Sequence, residues 1–158
     1  MKKKSGMAMA MVIGAVVGKI GSDIISQKKI DEKAEKADKF KRYYGMLNQW
    51  LILKQEGRSI VQYFEHKQYK KIAIYGVGEM GNRLYEELRG SGIEIAYAID
   101  KNQTDTYWNV EVVKEDAKLE RVDAIIVTAI FAYDEIEEEM ISKTESPIIS
   151  LEDIIYES

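Results

Sequence analysis

Short apolar runs alternate with amphipathic stretches in the second half of the chain. The runs predict strands because they are short and rich in β-branched residues, whereas the stretches between them repeat apolar residues at helical spacing. This alternation predicts an α/β domain with a doubly wound, mostly parallel sheet of about five strands. The predicted strands cover residues 70–75, 93–99, 110–113, 123–128 and 147–151, and the predicted helices cover residues 82–89 and 134–143.

The first residues of the chain show a different, helical pattern. Three lysines precede an unbroken apolar run at residues 7–18, and a mixed stretch extends this segment to Ile25. The run is too short to span a bilayer, which needs about 20 apolar residues of helix. The segment 7–25 therefore predicts contact with a membrane or packing on another protein chain, with a signal or leader segment as the third alternative. Small residues at every fourth position favour such close helix packing: Ala10, Gly14, Gly18 and Ser22.

Residues 26–55 predict one continuous helix in which many opposite charges are four positions apart. Apolar residues also repeat every seven positions, with Phe40 and Leu47 between them: Ile30, Ala37, Tyr44 and Leu51. This pattern is compatible with a short coiled coil. It is also compatible with a linker helix whose last two turns, including Trp50, pack on the downstream domain. We favour the linker because the heptads are few.

A second, short helix is predicted after the long one. Gly57 suits the position that follows a helix, and Ser59 with Gln62 matches a capping box. This helix extends to about His66, the single histidine of the chain, which we expect to be exposed and without a chemical role. The predicted domains are thus an apolar and basic N-terminal helix at residues 1–27, a helical linker at 28–68 and the α/β domain at 69–158.

The composition excludes several kinds of chemistry. The chain has 158 residues, no cysteine and one histidine, which argues against zinc ribbons, thiol redox chemistry and cysteine nucleophiles. Tyr133 and Lys143, near the predicted helix at 134–143, have the wrong spacing for a Tyr-x-x-x-Lys pair that deprotonates a hydroxyl. The acidic stretch at residues 135–139 predicts a solvated helix face. We therefore expect no catalytic residue and no metal site.

The charge is divided unequally between the two halves. Residues 1–70 contain 15 basic and 7 acidic residues, a net charge of +8, whereas residues 71–158 contain 8 and 20, a net charge of −12. An acidic domain argues against nucleic acid as a partner. The basic half predicts contact with an anionic membrane or with an acidic protein surface, including that of a second copy. We expect a homo-oligomer or membrane association at the cytoplasmic face.

A glycine-rich turn follows the first predicted strand and precedes a predicted helix. This glycine turn, as we call it from here on, has the pattern Gly-x-Gly-x-x-Gly and consists of Gly76, Val77, Gly78, Glu79, Met80 and Gly81. In the strand–turn–helix context the pattern predicts nucleotide binding. Gly76 permits the tight turn, Gly78 leaves room for a phosphate above backbone N–H groups, and Gly81 permits close packing of helix and strand. A turn that uses glycine only for its shape is the alternative.

Asp100 lies at the end of the second predicted strand, about 20 residues after the glycine turn. Its carboxylate can accept hydrogen bonds from two ribose hydroxyls and would repel a 2′-phosphate, which favours NAD over NADP. The neighbouring Lys101 weakens that preference. The segment after the predicted strand 123–128 would form the opposite wall of the crevice: Thr128, Ala129, Ile130 and Phe131.

These segments resemble a known group of domains. The stretch IAIYGVGEMGNRLYEELRGSGIEIAYAIDKN, with VDAIIVTAIF and PIISLEDII, resembles the small Rossmann-like domains that accompany bacterial glycan-assembly enzymes, including the nucleotide-sugar-binding N-terminal domain of sugar acyltransferases. This resemblance covers residues 69–158. Residues 71–100 are also similar to regulatory domains of potassium channels, whose nucleotide-binding positions match Gly76, Gly78, Gly81 and Asp100. The resemblance implies NAD or a nucleotide-sugar as ligand and a link to surface-polysaccharide assembly.

The sequence therefore predicts a cytoplasmic, non-catalytic module that binds a nucleotide or nucleotide-sugar. Its N-terminal helices would tether it to a membrane, to a glycan-assembly protein or to a second copy. One alternative is a structural adaptor that oligomerises and has a ligand-free Rossmann-like domain. The other is an NAD-dependent enzyme subunit completed by a partner chain, since a full dehydrogenase would continue with a catalytic half that we do not expect here.

Overall fold

The computed structural model describes the backbone of residues 3–102 and 106–158 and the side chains of residues 27–102 and 106–158. It divides the chain into two compact units, Met1–Tyr44 and Gly45–Ser158. Within the described part of the chain, no helix combines the length and the apolar character needed to cross a membrane. The predicted membrane or helix contact of the segment 7–25 lies outside the residues whose side chains are described.

The first helix, α1 (Lys3–Gln55), includes the predicted helix at 26–55 and ends before Gly57, as expected. Its last turns belong to the second unit. There Met46, Trp50 and Leu53 are buried at the spacing of one helix face. The prediction that the end of this helix packs on the domain is confirmed. The second unit consequently begins at Gly45, well before the predicted domain start at residue 69.

The next helix, α2 (Val61–Lys67), begins after Ser59. The Ser59 hydroxyl accepts a hydrogen bond from the Val61 N–H at 3.2 Å and donates one to the carboxylate of Glu87 at 2.8 Å. The Ser59 hydroxyl therefore holds the start of the helix, but its second partner is Glu87, and Gln62 bonds to Ser59 only through its backbone N–H, which donates to the Ser59 carbonyl at 3.1 Å. His66 is exposed in the last turn, as predicted.

Five parallel strands form one sheet in the order β3-β2-β1-β4-β5. This order is that of a doubly wound, Rossmann-like sheet, so the predicted fold class is confirmed. The strands are β1 (Lys71–Tyr75), β2 (Glu94–Ile99), β3 (Glu111–Val113), β4 (Ala124–Val127) and β5 (Ile148–Ser150). The remaining helices are α3 (Glu79–Leu88), α4 (Tyr133–Met140) and α5 (Leu151–Glu157), the last of which was not predicted.

Helices cover both faces of the sheet. Tyr75 of β1 belongs to a buried apolar cluster with Ile136 and Met140 of α4. The preceding residue, Ile74, points to the opposite face because side chains alternate along a strand. α3 joins β1 to β2, whereas α4 joins β4 to β5 in the opposite direction across the sheet, so right-handed crossovers place α3 on this second face. The domain thus has three layers, with the sheet in the middle.

The Asp123 carboxylate holds the beginning of β1. One of its oxygens accepts hydrogen bonds from the backbone N–H groups of Lys71 at 2.8 Å and Lys70 at 2.7 Å. These two bonds hold the pKa of Asp123 below its ordinary value. A carboxyl with a lowered native pKa stabilises the fold above its unfolded pKa of about 4 and loses this contribution as the pH falls through the native pKa.

We expect Asp123→Asn to lower the free energy of unfolding by about 1 kcal/mol at pH 7, because the amide is a weaker acceptor than the carboxylate. The gap between variant and wild type should close as the pH falls from about 4 towards 2. Urea unfolding at a series of pH values measures both. Asp116→Asn, at an exposed position, serves as the control. A gap that persists undiminished at low pH would contradict the assigned role.

Candidate functional site

The glycine turn lies at the point where the strand order reverses. The chain proceeds from β1 outward to β2 and β3, and then returns to the other side of β1 for β4 and β5. Ligands of open α/β sheets bind in the crevice that this reversal creates at the carboxyl ends of the strands. Gly76 directly follows β1, and Thr128, which directly follows β4, donates its N–H to the carbonyl of Tyr75 at 2.9 Å. The two predicted walls of the crevice therefore meet.

Gly76 makes the sharp turn out of β1. Its φ of +97° lies in the region that favours glycine, and its N–H donates to the carbonyl of Ile99 at 2.8 Å. A Cβ at this position would lie 2.7 Å from the Thr128 hydroxyl oxygen. Both the backbone angle and the neighbouring side chain thus require glycine, as predicted for the first residue of the motif.

Gly81 lies where α3 crosses the turn. A Cβ there would overlap with the carbonyl oxygen of Gly76 and would lie 3.1 Å from the indole ring of Trp108. Gly81 is buried, in agreement with the predicted close packing of helix on strand. The third glycine of the motif is therefore explained by contacts within the chain.

Gly78 differs from the other two glycines because it faces open space. It is exposed, and no atom lies within 4 Å of the position that a Cβ would take. It is also the N-cap residue of α3, and no side chain caps the helix there. The first-turn N–H groups of a helix have no acceptor within the helix, and together with the helix dipole they attract anions. The turn is thus accessible to a phosphate.

The other residues of the turn differ in exposure. Val77 is 4% exposed and belongs to the interior, Met80 is half-buried, and Glu79 is exposed in the first turn of α3. The Glu79 carboxylate stabilises the helix start but adds negative charge beside the position that an anion would take. The Glu79 side chain therefore opposes an anion at the turn, and the Val77 side chain does not reach the surface.

Asp100 lies beside the glycine turn, as predicted. One carboxylate oxygen accepts from the Val77 N–H at 3.4 Å, and the other accepts from the Asn102 N–H at 3.0 Å. The residue is half-buried. A carboxylate at this place is the kind of acceptor that a ribose hydroxyl requires.

Lys101 is engaged elsewhere. Its ammonium forms ion pairs with Glu115 at 3.4 Å and Glu139 at 3.8 Å, while the rest of the side chain is exposed. Burial raises the pKa of Glu115, and the nearby charge of Glu139 raises it further. The lysine charge is therefore compensated by carboxylates that follow β3 and lie on α4.

The predicted opposite wall is only partly accessible. Thr128 is buried, and its hydroxyl proton is shared between the carbonyl oxygens of Tyr75 and Gly76, each at 3.0 Å. Ile130 is 1% exposed and packs in the interior, so its side chain does not line the crevice. Ala129 and Phe131 are half-buried and remain at the surface.

Trp108 is a site residue that the sequence analysis missed. Its indole N–H donates to the Asn82 side-chain oxygen at 2.8 Å, and its ring stacks in parallel on Tyr85 with 5.0 Å between centroids. The ring thereby packs on α3 at Gly81 and Tyr85. Tyr107 packs its edge against the same Tyr85. Two adjacent aromatic residues in an otherwise polar loop were the signal that could have indicated this packing.

The site offers backbone amides, the carboxylates of Asp100 and Glu79, and apolar surface to a ligand. In the part of the chain that the structure describes, no group of three or more histidine, aspartate or glutamate side chains is placed to hold a metal ion. Backbone amides beside a carboxylate and an apolar surface can together recognise an anion and a ring that bears hydroxyl groups.

Comparison with known proteins gives a family but no individual relative. No curated protein matches the chain, and no solved structure does. One family model, described as C2185-like, N-terminal, matches residues 68–149, a range that begins just before β1 and includes the glycine turn and Asp100. Because the match covers more than half of the chain, this protein belongs to the C2185-like, N-terminal family.

Proposed function

We propose that the chain is a non-catalytic module that binds a nucleotide or nucleotide-sugar, of NAD type, at the glycine turn. The observation that carries the proposal is Gly78, the one glycine of the motif that no contact within the described chain requires. It leaves the uncapped start of α3 open at the switch point of the sheet. A pyrophosphate group is the ligand chemistry that such a helix start favours.

Asp100 supports the nucleoside part of the proposal. Its carboxylate lies beside the turn, where it accepts a hydrogen bond from the Val77 N–H at 3.4 Å, and a carboxylate is the acceptor that recognises ribose hydroxyls in such crevices. The same negative charge would repel a 2′-phosphate, so NAD fits better than NADP. Nucleotide-sugars share the ribose and the pyrophosphate with NAD, and they remain in the same ligand class.

The cellular role in the proposal rests on other observations. The resemblance of residues 69–158 to domains of bacterial glycan-assembly proteins supports a link to surface-polysaccharide assembly at the cytoplasmic face of the membrane. The long basic extension supports a tether to a membrane, a glycan-assembly protein or a second copy. The module would report or hold a nucleotide-type metabolite for that assembly.

Calorimetric titration of the full-length chain with NAD, NADH, NADP, UDP-glucose and UDP-N-acetylglucosamine tests the proposal. We expect at least one of these ligands other than NADP to bind, and Gly78→Val to weaken its affinity at least tenfold, about 1.4 kcal/mol, by filling the space above the amides. Asp100→Asn should lower the affinity for the same ligand. Asp134→Asn, an exposed aspartate of α4, should leave affinity unchanged.

The fold of Gly78→Val is expected to be intact because the new side chain meets no atom within 4 Å at its Cβ, and circular dichroism checks this. Absence of binding by every ligand would overturn the proposal. So would a Gly78→Val variant that is folded and binds the wild-type ligand with undiminished affinity.

A structural adaptor is the second candidate, and one observation favours it. Gly76 and Gly81 are both explained by packing within the chain, and the Thr128 hydroxyl donates its proton to backbone carbonyls. An adaptor would show no binding in the titration. It would instead form oligomers without any ligand, and these would dissociate as the salt concentration rises because the two halves have opposite charge.

A further inference from the structure

An apolar stripe lies on α1 in the first unit. Ile30 is 58% exposed, Phe40 is 73% exposed and Tyr44 is 63% exposed, and Ala37 between them is exposed as well. Along the chain, Ile30, Ala37, Phe40 and Tyr44 follow one another at intervals of seven, three and four positions, which places them on one side of a helix. Large apolar side chains at such exposure are typical of a surface that another protein covers. We call this surface the helix stripe, and the sequence continues its spacing at Leu47 and Leu51.

We propose that the helix stripe packs against the helix stripe of a second copy of this chain, with the two helices antiparallel. This inference rests on the part of the proposed function that makes the N-terminal extension a tether, and it names a second copy as the partner of that tether. An apolar repeat of 3.5 residues keeps two helices in contact along their length, because both supercoil to follow it. A helix that packs on a globular surface usually has a wider apolar stripe, whereas a stripe limited to two positions in seven is typical of a coiled-coil contact.

The lysines around the stripe disfavour a parallel pair. In a parallel pair identical core positions meet, so Lys33, which occupies the core position between Ile30 and Ala37, would face Lys33 of the second copy. Lys36, on one side of the helix stripe, would also face Lys41 of the second copy, which lies on the other side of that copy's stripe. Like charges in these positions are destabilising. All three lysine side chains are exposed.

An antiparallel pair removes these conflicts. When Ala37 faces Phe40 of the second copy, a small residue meets a large one in both symmetry-related contacts. In the same register Lys33 faces Tyr44, so that its apolar stem lies along the ring and its ammonium can contact the ring face. Lys41 of one copy then lies beside Ala34 of the second copy and no longer faces a lysine. The sequence is therefore self-complementary in this orientation.

The charge of the segment also favours a protein partner over a membrane. Residues 27–44 contain seven basic and four acidic residues, and the acidic ones are interspersed with the basic ones around the helix. Helices that lie on anionic membranes have a polar face dominated by lysine and arginine. The four carboxylates would be repelled by such a surface.

Sedimentation of the full-length chain tests the association. We expect a dimer. We expect Phe40→Glu to raise its dissociation constant at least tenfold, because the variant places a charge in the helix–helix contact. The matched control is Lys28→Glu, which alters charge on the side of the helix away from the stripe and should leave the dimer intact. Circular dichroism confirms that both variants remain helical.

Disulfide trapping tests the orientation, and the absence of cysteine from the chain makes each introduced thiol unique. A mixture of Lys33→Cys and Tyr44→Cys chains should form the mixed disulfide faster than either variant forms its own. In an antiparallel pair the two copies of either position lie about 16 Å apart along the axis, too far for a disulfide. Mass spectrometry identifies the linked peptides.

Several results would overturn the inference: a monomer at micromolar concentration, a dimer unaffected by Phe40→Glu, or faster disulfide formation by Lys33→Cys alone, which indicates a parallel pair. Binding of a monomeric chain to phosphatidylserine vesicles that Phe40→Glu abolishes would assign the stripe to a membrane. None of these results depends on nucleotide binding, which the calorimetric titration measures separately.

Discussion

Gly81→Ala is expected to lower the free energy of unfolding of the domain by about 3 kcal/mol. The new Cβ would overlap with the carbonyl oxygen of Gly76 and approach Trp108 to 3.1 Å. The first of these neighbours is backbone in a turn fixed by a positive φ, so it cannot move aside as the end of a flexible side chain can. Urea unfolding followed by circular dichroism measures the loss.

Gly78→Ala is the matched control for this prediction. The two glycines belong to the same turn, but a Cβ added at Gly78 would meet no atom within 4 Å, and the φ of −71° suits any residue. We expect the free energy of unfolding to change by less than about 1 kcal/mol, because alanine is only a somewhat poorer N-cap than glycine. Equal losses in the two variants would contradict the assigned packing of α3 on the turn.

The sheet could be predicted from the sequence because its strands carry a simple signal. Parallel strands covered on both faces read as short apolar runs, as β4 does, and each run lies between polar turns. The glycine turn carries an equally local signal, since a strand, three glycines and a helix follow one another directly. The position of Asp100 beside the turn follows from the pairing of β1 with β2.

The helix boundaries were less predictable because contacts distant in sequence determine them. The pattern placed the start of α3 at residue 82, after the last glycine, yet the helix begins at Glu79. Glycines are poor helix formers, but here close packing on the turn and the cover from Trp108 compensate for this weakness. For α5 a local signal existed, since the Ser150 hydroxyl accepts from the N–H of Glu152 as an N-cap.

The start of the second unit was hidden by two overlapping patterns on one helix. The residues that pack on the domain, Met46, Trp50 and Leu53, follow helical spacing, and so do the exposed Leu47 and Leu51. Periodicity identifies both sets as apolar but does not tell which one the domain buries. The sequence also did not show which residues of the predicted crevice wall are accessible. This depends on how the backbone turns after β4, where the Ile130 side chain enters the interior.

Trp108→Ala is expected to lower the free energy of unfolding by about 3 to 5 kcal/mol, as is usual when a buried large aromatic side chain is truncated. The ring is 5% exposed, stacks on Tyr85 and packs on α3 beside Gly81, so its removal leaves a cavity next to the glycine turn. Trp108→Phe keeps an aromatic ring there but loses the hydrogen bond to Asn82, and we expect it to cost about 1 to 2 kcal/mol.

The neighbouring Tyr107 provides the control because it contacts the same Tyr85 ring from a position that is 62% exposed. Tyr107→Ala should change the free energy of unfolding by less than about 1 kcal/mol, since little apolar surface returns to water. Urea unfolding of the three variants, followed by circular dichroism, gives the comparison. If Trp108→Ala costs no more than Tyr107→Ala, the loop after β2 does not pack on α3, and the crevice at the glycine turn must be wider and more open on that side than the packing of Trp108 indicates.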